Sequence, residues 1–509
     1  MKRFVTVALA GLLCIGSLDL AQAENNIDVK IRGEWDFAFG WAENTSFAGS
    51  RQMGKRGERD DDNFMARQRV RTQINFIISE NLQSVLMFEI GETNWGRDTG
   101  EDGYNEGGGL GADGVNVKTK FAYLDWMVPD SDLHIRMGLQ PLALPSATEL
   151  GSPVMGDDDG LAAIVANYAF TDSFGLTAFW ARPYNLFLND TEADNGRHYD
   201  DEMDMFGLVA QVSLDGLTIT PWGVVAAIGS ASGYFENLLN MTYRDPFDVT
   251  PAGYSMLDSR GKDSSIGWWV GLGTNVDVWD PLTFSFDVLY GSVGATDVTT
   301  SDYDTNGNLL ASTTQKWEAS GWFIDARLDY ALDWGTAGIF GWWSSGDDAK
   351  DRRKGKLGRM PIIGPQGFGP TSFGFDGAFG IADGAIVSNT GIGTWGLGVQ
   401  IADMSFYEDL SHTVRFSYYR GTNDHEILNN HGAEGPAMQF GDGWYMTDKD
   451  YAFEVNFDHT YQIYENLAAV LELGYIHMHL DKEAWRNVGP GYNKTDGAWK
   501  AQLSFQYTF

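Results

Sequence analysis

Apolar and polar residues alternate one for one along most of the chain, in runs of about ten that are broken by polar or glycine-rich stretches. In the first run Val29, Ile31, Trp35, Phe37, Phe39 and Trp41 fall on one face and Lys30, Arg32, Glu34 and Asp36 on the other. The second, Phe64 to Ile78, sets Val70, Ile74, Phe76 and Ile78 against Arg67, Arg69, Arg71, Gln73 and Asn75. The last sets Trp499, Ala501, Leu503, Phe505, Tyr507 and Phe509 against Lys500, Gln502, Ser504, Gln506 and Thr508. Side chains of a β-strand point to opposite faces in turn, so a period of two predicts strands with one apolar and one polar wall.

The runs predict further strands at 82–90, 117–127, 133–140, 161–170, 174–183, 204–214, 217–229, 265–278, 281–291, 317–332, 335–344, 392–404, 411–421, 449–464 and 466–480. Segments 161–170, 217–229 and 335–344 alternate least well. Very short turns, such as Glu80-Asn81, Asp215-Gly216, Asp333-Trp334 and Glu465-Asn466, alternate with long loops at 42–63, 91–116, 141–160, 184–203, 230–264, 292–316, 345–391, 422–448 and 481–496. About eighteen strands result, with sixteen as the alternative. The fold expected is all-β: a closed, antiparallel transmembrane β-barrel with long extracellular loops and short periplasmic turns. A soluble sandwich has no reason to alternate loop lengths so regularly. Closure of the last strand on the first removes the unpaired edges that lipid cannot satisfy.

Composition narrows the choice further. Aromatics make up 14% of the 509 residues and there are 62 glycines. The only long apolar run is N-terminal, which excludes a bundle of spanning helices. Met1 to Ala23 has the basic start (Lys2, Arg3), apolar centre and Ala21-Gln22-Ala23 ending of a secretory signal peptide, so Glu24 is the expected first residue of a single barrel domain, 24–509. The one cysteine, Cys14, lies in that leader, and no disulfide is expected. Without Lys2, Arg3 and Asp19 the 35 basic and 70 acidic residues become 33 and 69, a net charge of −36. Such a surface repels nucleic acid.

The leader, the arginine-bearing second strand, the passage Arg136 to Pro145 (RMGLQPLALP), the acidic loop after it and the terminal Tyr507-Thr508-Phe509 together resemble the general porins of Gram-negative outer membranes, most closely the homotrimeric porins of sulfate-reducing bacteria. The resemblance implies an outer-membrane channel for passive diffusion of ions and small hydrophilic solutes, surrounded by lipid and lipopolysaccharide. It also implies that assembly machinery reads Phe509. The loop after the fifth strand would fold inward as the constriction, which places Glu149, Asp157, Asp158 and Asp159 on its acidic edge. The Pro-Glu-Phe-Gly-Gly-Asp consensus of porins is absent from it. The facing basic wall would be Arg32, Arg67, Arg69, Arg71, Lys118, Lys120 and Arg136, with Lys30 and His134 beside them. Subunit contact would use the first strands and the loop 91–116.

Other readings compete at specific residues. Trp35, Trp41, Trp126, Trp180, Trp268, Trp322, Trp395, Tyr418 and Tyr475 sit at strand ends and suit interfacial girdles. Trp269, Phe323 and Trp342 are the candidates for an aromatic track along the lumen. Asp302, Asp304 and Asn306 open like a calcium loop, but Thr313 stands where a bidentate Glu is needed, and Asn306-Gly307 is equally a hairpin turn. Apart from this weak calcium candidate no cofactor is expected. His477 and His479 share a face without a third ligand. Neither a Gly-x-Ser-x-Gly elbow nor His-Glu-x-x-His occurs, so no enzyme is expected. The alternatives to a diffusion porin are a channel selective for a sugar or oxyanion and, from another class, a barrel enzyme or adhesin.

Overall fold

The computed structural model describes residues 27–45, 47, 63–96, 117–156, 160–185, 201–230, 232–235, 238, 254–258, 264–303, 309–364, 367–375, 387–388, 390–429, 439–440, 443–485, 495 and 497–509. Eighteen strands close a barrel. They are β1 Asp28–Glu43, β2 Asn63–Ser79, β3 Leu82–Asn94, β4 Val117–Met127, β5 Leu133–Gln140, β6 Leu161–Thr171, β7 Phe174–Asn185, β8 Glu202–Leu214 and β9 Leu217–Ile228. The other half is β10 Ser265–Trp279, β11 Leu282–Tyr303, β12 Leu309–Leu332, β13 Gly335–Ser344, β14 Thr394–Tyr407, β15 Leu410–Gly421, β16 Tyr451–Tyr464, β17 Leu467–His479 and β18 Ala498–Thr508. Every strand pairs antiparallel with its sequence neighbour, and β18 pairs with β1 from Glu34↔Thr508 to Glu43↔Trp499. Phe509 fastens the seam: Gly33 N–H donates to its carbonyl at 2.8 Å, and its own N–H donates back to Gly33 O at 3.0 Å. No described helix is long and apolar enough to cross a membrane.

The two walls follow the alternation. On β18, Lys500, Gln502 and Ser504 are buried inside the barrel while Trp499, Leu503 and Tyr507 are exposed outside. On β1, Asp36, Ala38 and Ala42 face inward and Trp35 and Trp41 outward. The outer wall is apolar all round, with Phe206, Leu208, Val270, Ile339, Leu397, Phe416 and Val455 exposed on it. The three poorly alternating segments form β6, β9 and β13. Their inward residues Ala163 on β6, Trp222 and Val224 on β9, and Phe340 and Trp342 on β13 are apolar because they are covered from inside, as is Phe179 on the adjoining β7.

One expected loop is largely strand. Residues 292–316 are not a loop throughout: β11 runs on to Tyr303 and β12 starts at Leu309, paired from Thr296↔Trp317 to Tyr303↔Leu309. A five-residue strand, Tyr254–Asp258, adds to the same ribbon against Thr299 to Tyr303. The Val-, Thr- and Ser-rich sequence there suits strand pairing beyond the barrel rim.

Candidate functional site: a charged wall facing two infolded segments

Arg67, Arg69 and Arg71 stand in a row on the lumen face of β2, each held by carboxylates of the adjoining strands. Arg67 reaches Glu92 at 3.2 Å. Arg69 spans from Asp36 on β1 at 3.1 Å to Glu92 on β3 at 3.4 Å. Arg71 pairs with Glu89 at 2.9 Å and Glu34 at 3.4 Å. Glu89 also draws in Lys118 at 3.5 Å and Lys120 at 3.7 Å from β4. The basic wall is therefore a lattice of alternating charge, which lowers the repulsion among cations two residues apart.

Two bulges build this lattice. Strand parity puts Glu89 and Glu92 on opposite faces, but the register slips between Gln68 and Val70. Gly91, at φ +112, lies across from Arg69, where an added Cβ would be 2.8 Å from Gln68 O. The extra residue returns Glu92 to the lumen. A second slip, between Met87 and Phe88, falls opposite Lys120 and turns Asp125 inward as well. Asp125 there receives Arg136 at 3.1 Å and also contacts His134. Arg32 is exposed near the short-turn end of β1. Sequence reading named the cations and missed Glu89, Glu92 and Asp125: the alternation ends the third strand at Ile90 and puts Gly91 in the loop 91–116, whereas β3 runs through Gly91 to Asn94, where a strand glycine marks the first slip.

The segment after β5 turns into the barrel and crosses to the far wall. Asp287 on β11 accepts the backbone N–H of Ala147 at 2.7 Å and of Thr148 at 3.0 Å, and the Thr148 hydroxyl donates to Asp325 on β12. Leu144, Leu150, Val154 and Met155 bury against the interior. Glu149 is exposed between two buried neighbours, held at φ 59 and close enough to Asp329 to repel it. Asp157, Asp158 and Asp159 lie outside the described residues.

A second segment between β13 and β14, described at 358–364 and 367–375, leads from the rim into the barrel. Its start is hung from two wall donors, Tyr184 OH to Ile363 O at 2.7 Å and Trp269 Nε1 to Pro361 O at 2.8 Å, and from Tyr234 OH of the connection after β9, which donates to Ile362 O at 2.8 Å. It then packs on the first segment. Ile363 N–H donates to Val154 O and Gly369 N–H to Leu150 O, both at 2.9 Å. Gly151 makes the approach possible, since a Cβ there would be 1.8 Å from Gly367 O. The far end reaches β16: Glu454 accepts Thr371 Oγ1 at 2.9 Å and Gly374 N–H at 3.1 Å, and Asp458 accepts Ser372 Oγ at 3.0 Å. Phe368, Phe373 and Phe375 are fully buried, with Phe373 against Gly474 and under Lys500.

Trp269, Phe323 and Trp342 do face inward, but they do not form an aromatic track. All three are buried beneath the crossing segment, Phe323 and Trp342 against Phe368. Asp304 and Asn306 lie outside the described residues, and of Asp302 only its backbone place in β11 is described. His479 stacks on Tyr451 and His477 packs at a tilt on Phe453 along the β16–β17 pair.

Beyond the barrel rim the described residues of the connections after β13, β15 and β17 form a cap around two buried acids. Asp347 accepts Gly358 N–H at 2.9 Å and binds Arg352 at 2.8 Å and Arg359 at 3.3 Å. Tyr445 donates to it at 3.1 Å, and burial beside that carboxylate pushes the Tyr445 phenol well up. Asp450 accepts Thr447 Oγ1 at 2.7 Å, Asp481 N–H at 2.8 Å and Trp485 Nε1 at 3.0 Å, while burial raises it above the usual carboxylate range.

No family model matches the chain, and no curated protein does. Among solved structures it is similar to OccAB3 of Acinetobacter baumannii, at 10% identity and a TM-score of 0.46 over 95% of this chain and 99% of that one. It is similar to OccK8 (OprE) of Pseudomonas aeruginosa at 11% identity and a TM-score of 0.47, over 95% and 98%. The outer membrane protein OpdK of Pseudomonas aeruginosa is 8% identical with a TM-score of 0.47, over 95% and 99%.

Proposed function

We propose that the chain is an outer-membrane porin, a water-filled channel for passive diffusion of ions and small hydrophilic solutes. One observation carries the reading. The β1–β5 arc of the lumen carries a charged row whose ends reach water, Arg136 38% and Lys118 62% exposed, with Arg69 and Arg71 still 13–14% exposed between them, while the infolded segments pack against the remaining arc. Eighteen strands enclose more space than their own side chains fill. The apolar outer wall suits lipid, and rows of both charges favour polar over apolar solutes.

The site residues take these roles in the proposal. Arg67, Arg69, Arg71, Lys118, Lys120 and Arg136 form the polar wall of the path, and Glu149 is the carboxylate facing it from the first infolded segment. Phe509 serves as assembly signal. Three copies would join through the outer faces of β1 and β2, with the connection after β3 reaching the neighbour. The nearer likeness to porins of sulfate-reducing bacteria rests on Arg136 to Pro145, which supplies β5 and the entry to the first infolded segment. No reaction is assigned to the protein.

A substrate-selective channel is the second reading, favoured by the two anchored segments, which fix the shape of the path. Liposome swelling with neutral sugars of graded size separates the two. A diffusion porin admits them in order of size, and a selective channel admits one class out of that order. Folded protein that admits none would refute both.

A further inference from the structure

The loop cap carries a constellation that the channel does not use. Asp424 and His425, just after β15, meet Asp448, just before β16. His425 Nδ1 is 2.8 Å from Asp448 Oδ1 and 3.6 Å from Asp424 Oδ1, and the three donor atoms lie within 4.8 Å of one another. An imidazole and two carboxylates bound to one divalent ion at about 2.0–2.2 Å stand roughly 2.9 Å apart at right angles and about 3.4 Å apart in a tetrahedron. The two imidazole–carboxylate spacings, 2.8 and 3.6 Å, bracket both values.

The backbone beneath these groups is fixed. Asn423 and Thr447 form a bridge, Asn423 Nδ2 donates to Met446 O at 2.8 Å, and Asp448 N–H donates to Asn423 O at 2.7 Å. Arg420 Nε donates to Asp448 O at 2.8 Å. The carboxylates also have donors of their own: Asp448 Oδ1 accepts His425 N–H at 3.1 Å, and Asp424 accepts Glu426 N–H at 2.9 Å and Ala349 N–H at 3.3 Å. All three side chains remain reachable from solvent, at 29–45% exposure.

We propose that Asp424, His425 and Asp448 bind a divalent transition-metal ion of the zinc class at the mouth of the barrel. The mixed N,O,O set selects against calcium and magnesium, which take all-oxygen shells. Binding replaces the shared hydrogen between imidazole and carboxylate with the ion and releases any Nδ1 proton to solvent. Because Asp424 also holds Ala349, the ion would brace the β15–β16 loop against the segment leading into the lumen.

The test is a calorimetric titration of the detergent-folded full chain with zinc chloride, repeated in a hundredfold excess of calcium. One zinc per chain is expected, little affected by calcium. His425→Ala and Asp448→Asn should each weaken it at least tenfold, while the double change His477→Ala with His479→Ala leaves it unchanged. A far-UV spectrum confirms that each variant keeps its barrel, which these loop positions lie outside. No zinc uptake, uptake equal in the His425→Ala protein, or displacement by calcium would overturn the proposal.

Discussion

Replacing Glu454 with alanine should loosen the far end of the crossing segment while leaving the barrel intact. Four donors converge on this side chain: Thr371 Oγ1 and Gly374 N–H from the segment, and Tyr419 OH and Asn456 Nδ2 from the wall, at 2.7–3.3 Å. A carboxylate has the lone pairs to accept all of them. Hydrogen bonds to a charged group contribute about 1.5–3 kcal/mol each, so losing the two from the segment removes roughly 3–6 kcal/mol of seating energy. At about 1.4 kcal/mol per factor of ten, the lower figure multiplies the unseated population roughly 150-fold. The segment does not leave altogether, because buried Phe368, Phe373 and Phe375 contribute about 1.5–3 kcal/mol each. Single-channel recording should therefore show the main conductance interrupted by frequent wider sub-states. Glu454→Gln, which keeps an acceptor oxygen, should give fewer. A quiet channel of unchanged conductance in the alanine variant, with its barrel verified by circular dichroism, would refute the assignment of this anchor.

Three further outcomes are expected. Changing Arg67, Arg69 and Arg71 together to glutamine removes three positive charges and the arginine partners of Asp36, Glu89 and Glu92, leaving Glu89 only Lys118 and Lys120, so the reversal potential in a salt gradient should move toward cation preference, most at low ionic strength where screening is weak; an unmoved potential places the permeation path elsewhere. Deleting Phe509 removes both backbone bonds to Gly33, and should reduce the amount of assembled protein far more than the conductance of what does assemble; equal losses would count against a seam role. Burial raises the Asp450 carboxyl, so its share of cap stability is complete below the ordinary carboxylate value near pH 4 and declines as pH rises through the raised one. Amide exchange at 445–450 should accordingly quicken, beyond its intrinsic rate, toward neutral pH and lose that trend in Asp450→Asn; an opposite trend would show the ionised form to be the stabilising one.

The barrel was legible because its signal is repeated. A period of two, eighteen times over, with short turns on every second connection, leaves one closed arrangement that satisfies the backbone in lipid. The inward arginines were legible for the same reason, since Arg67, Arg69 and Arg71 keep parity with the other inward residues of β2. Their partners were not. Glu92 and Asp125 stand on the wrong face by parity, and single-residue bulges restore them; a bulge leaves only a glycine or nothing at all in the sequence. The crossing segment 358–375 was hidden for a different reason. Its glycines, prolines and phenylalanines have no period, and it is fixed by groups far away in the chain, such as Tyr184, Trp269 and Glu454. The buried tryptophans show the same dependence: Trp269 and Trp342 read as inward-facing, but only the segment lying over them decides whether they meet water.

The central claim is that an aqueous path remains between the charged arc and the infolded segments, and conductance of the purified wild-type protein in a planar bilayer tests it most directly. The expected result is stepwise, long-lived ohmic conductance from each inserted channel. A folded barrel that inserts and passes no current would contradict it, and would mean that the segments seal the lumen.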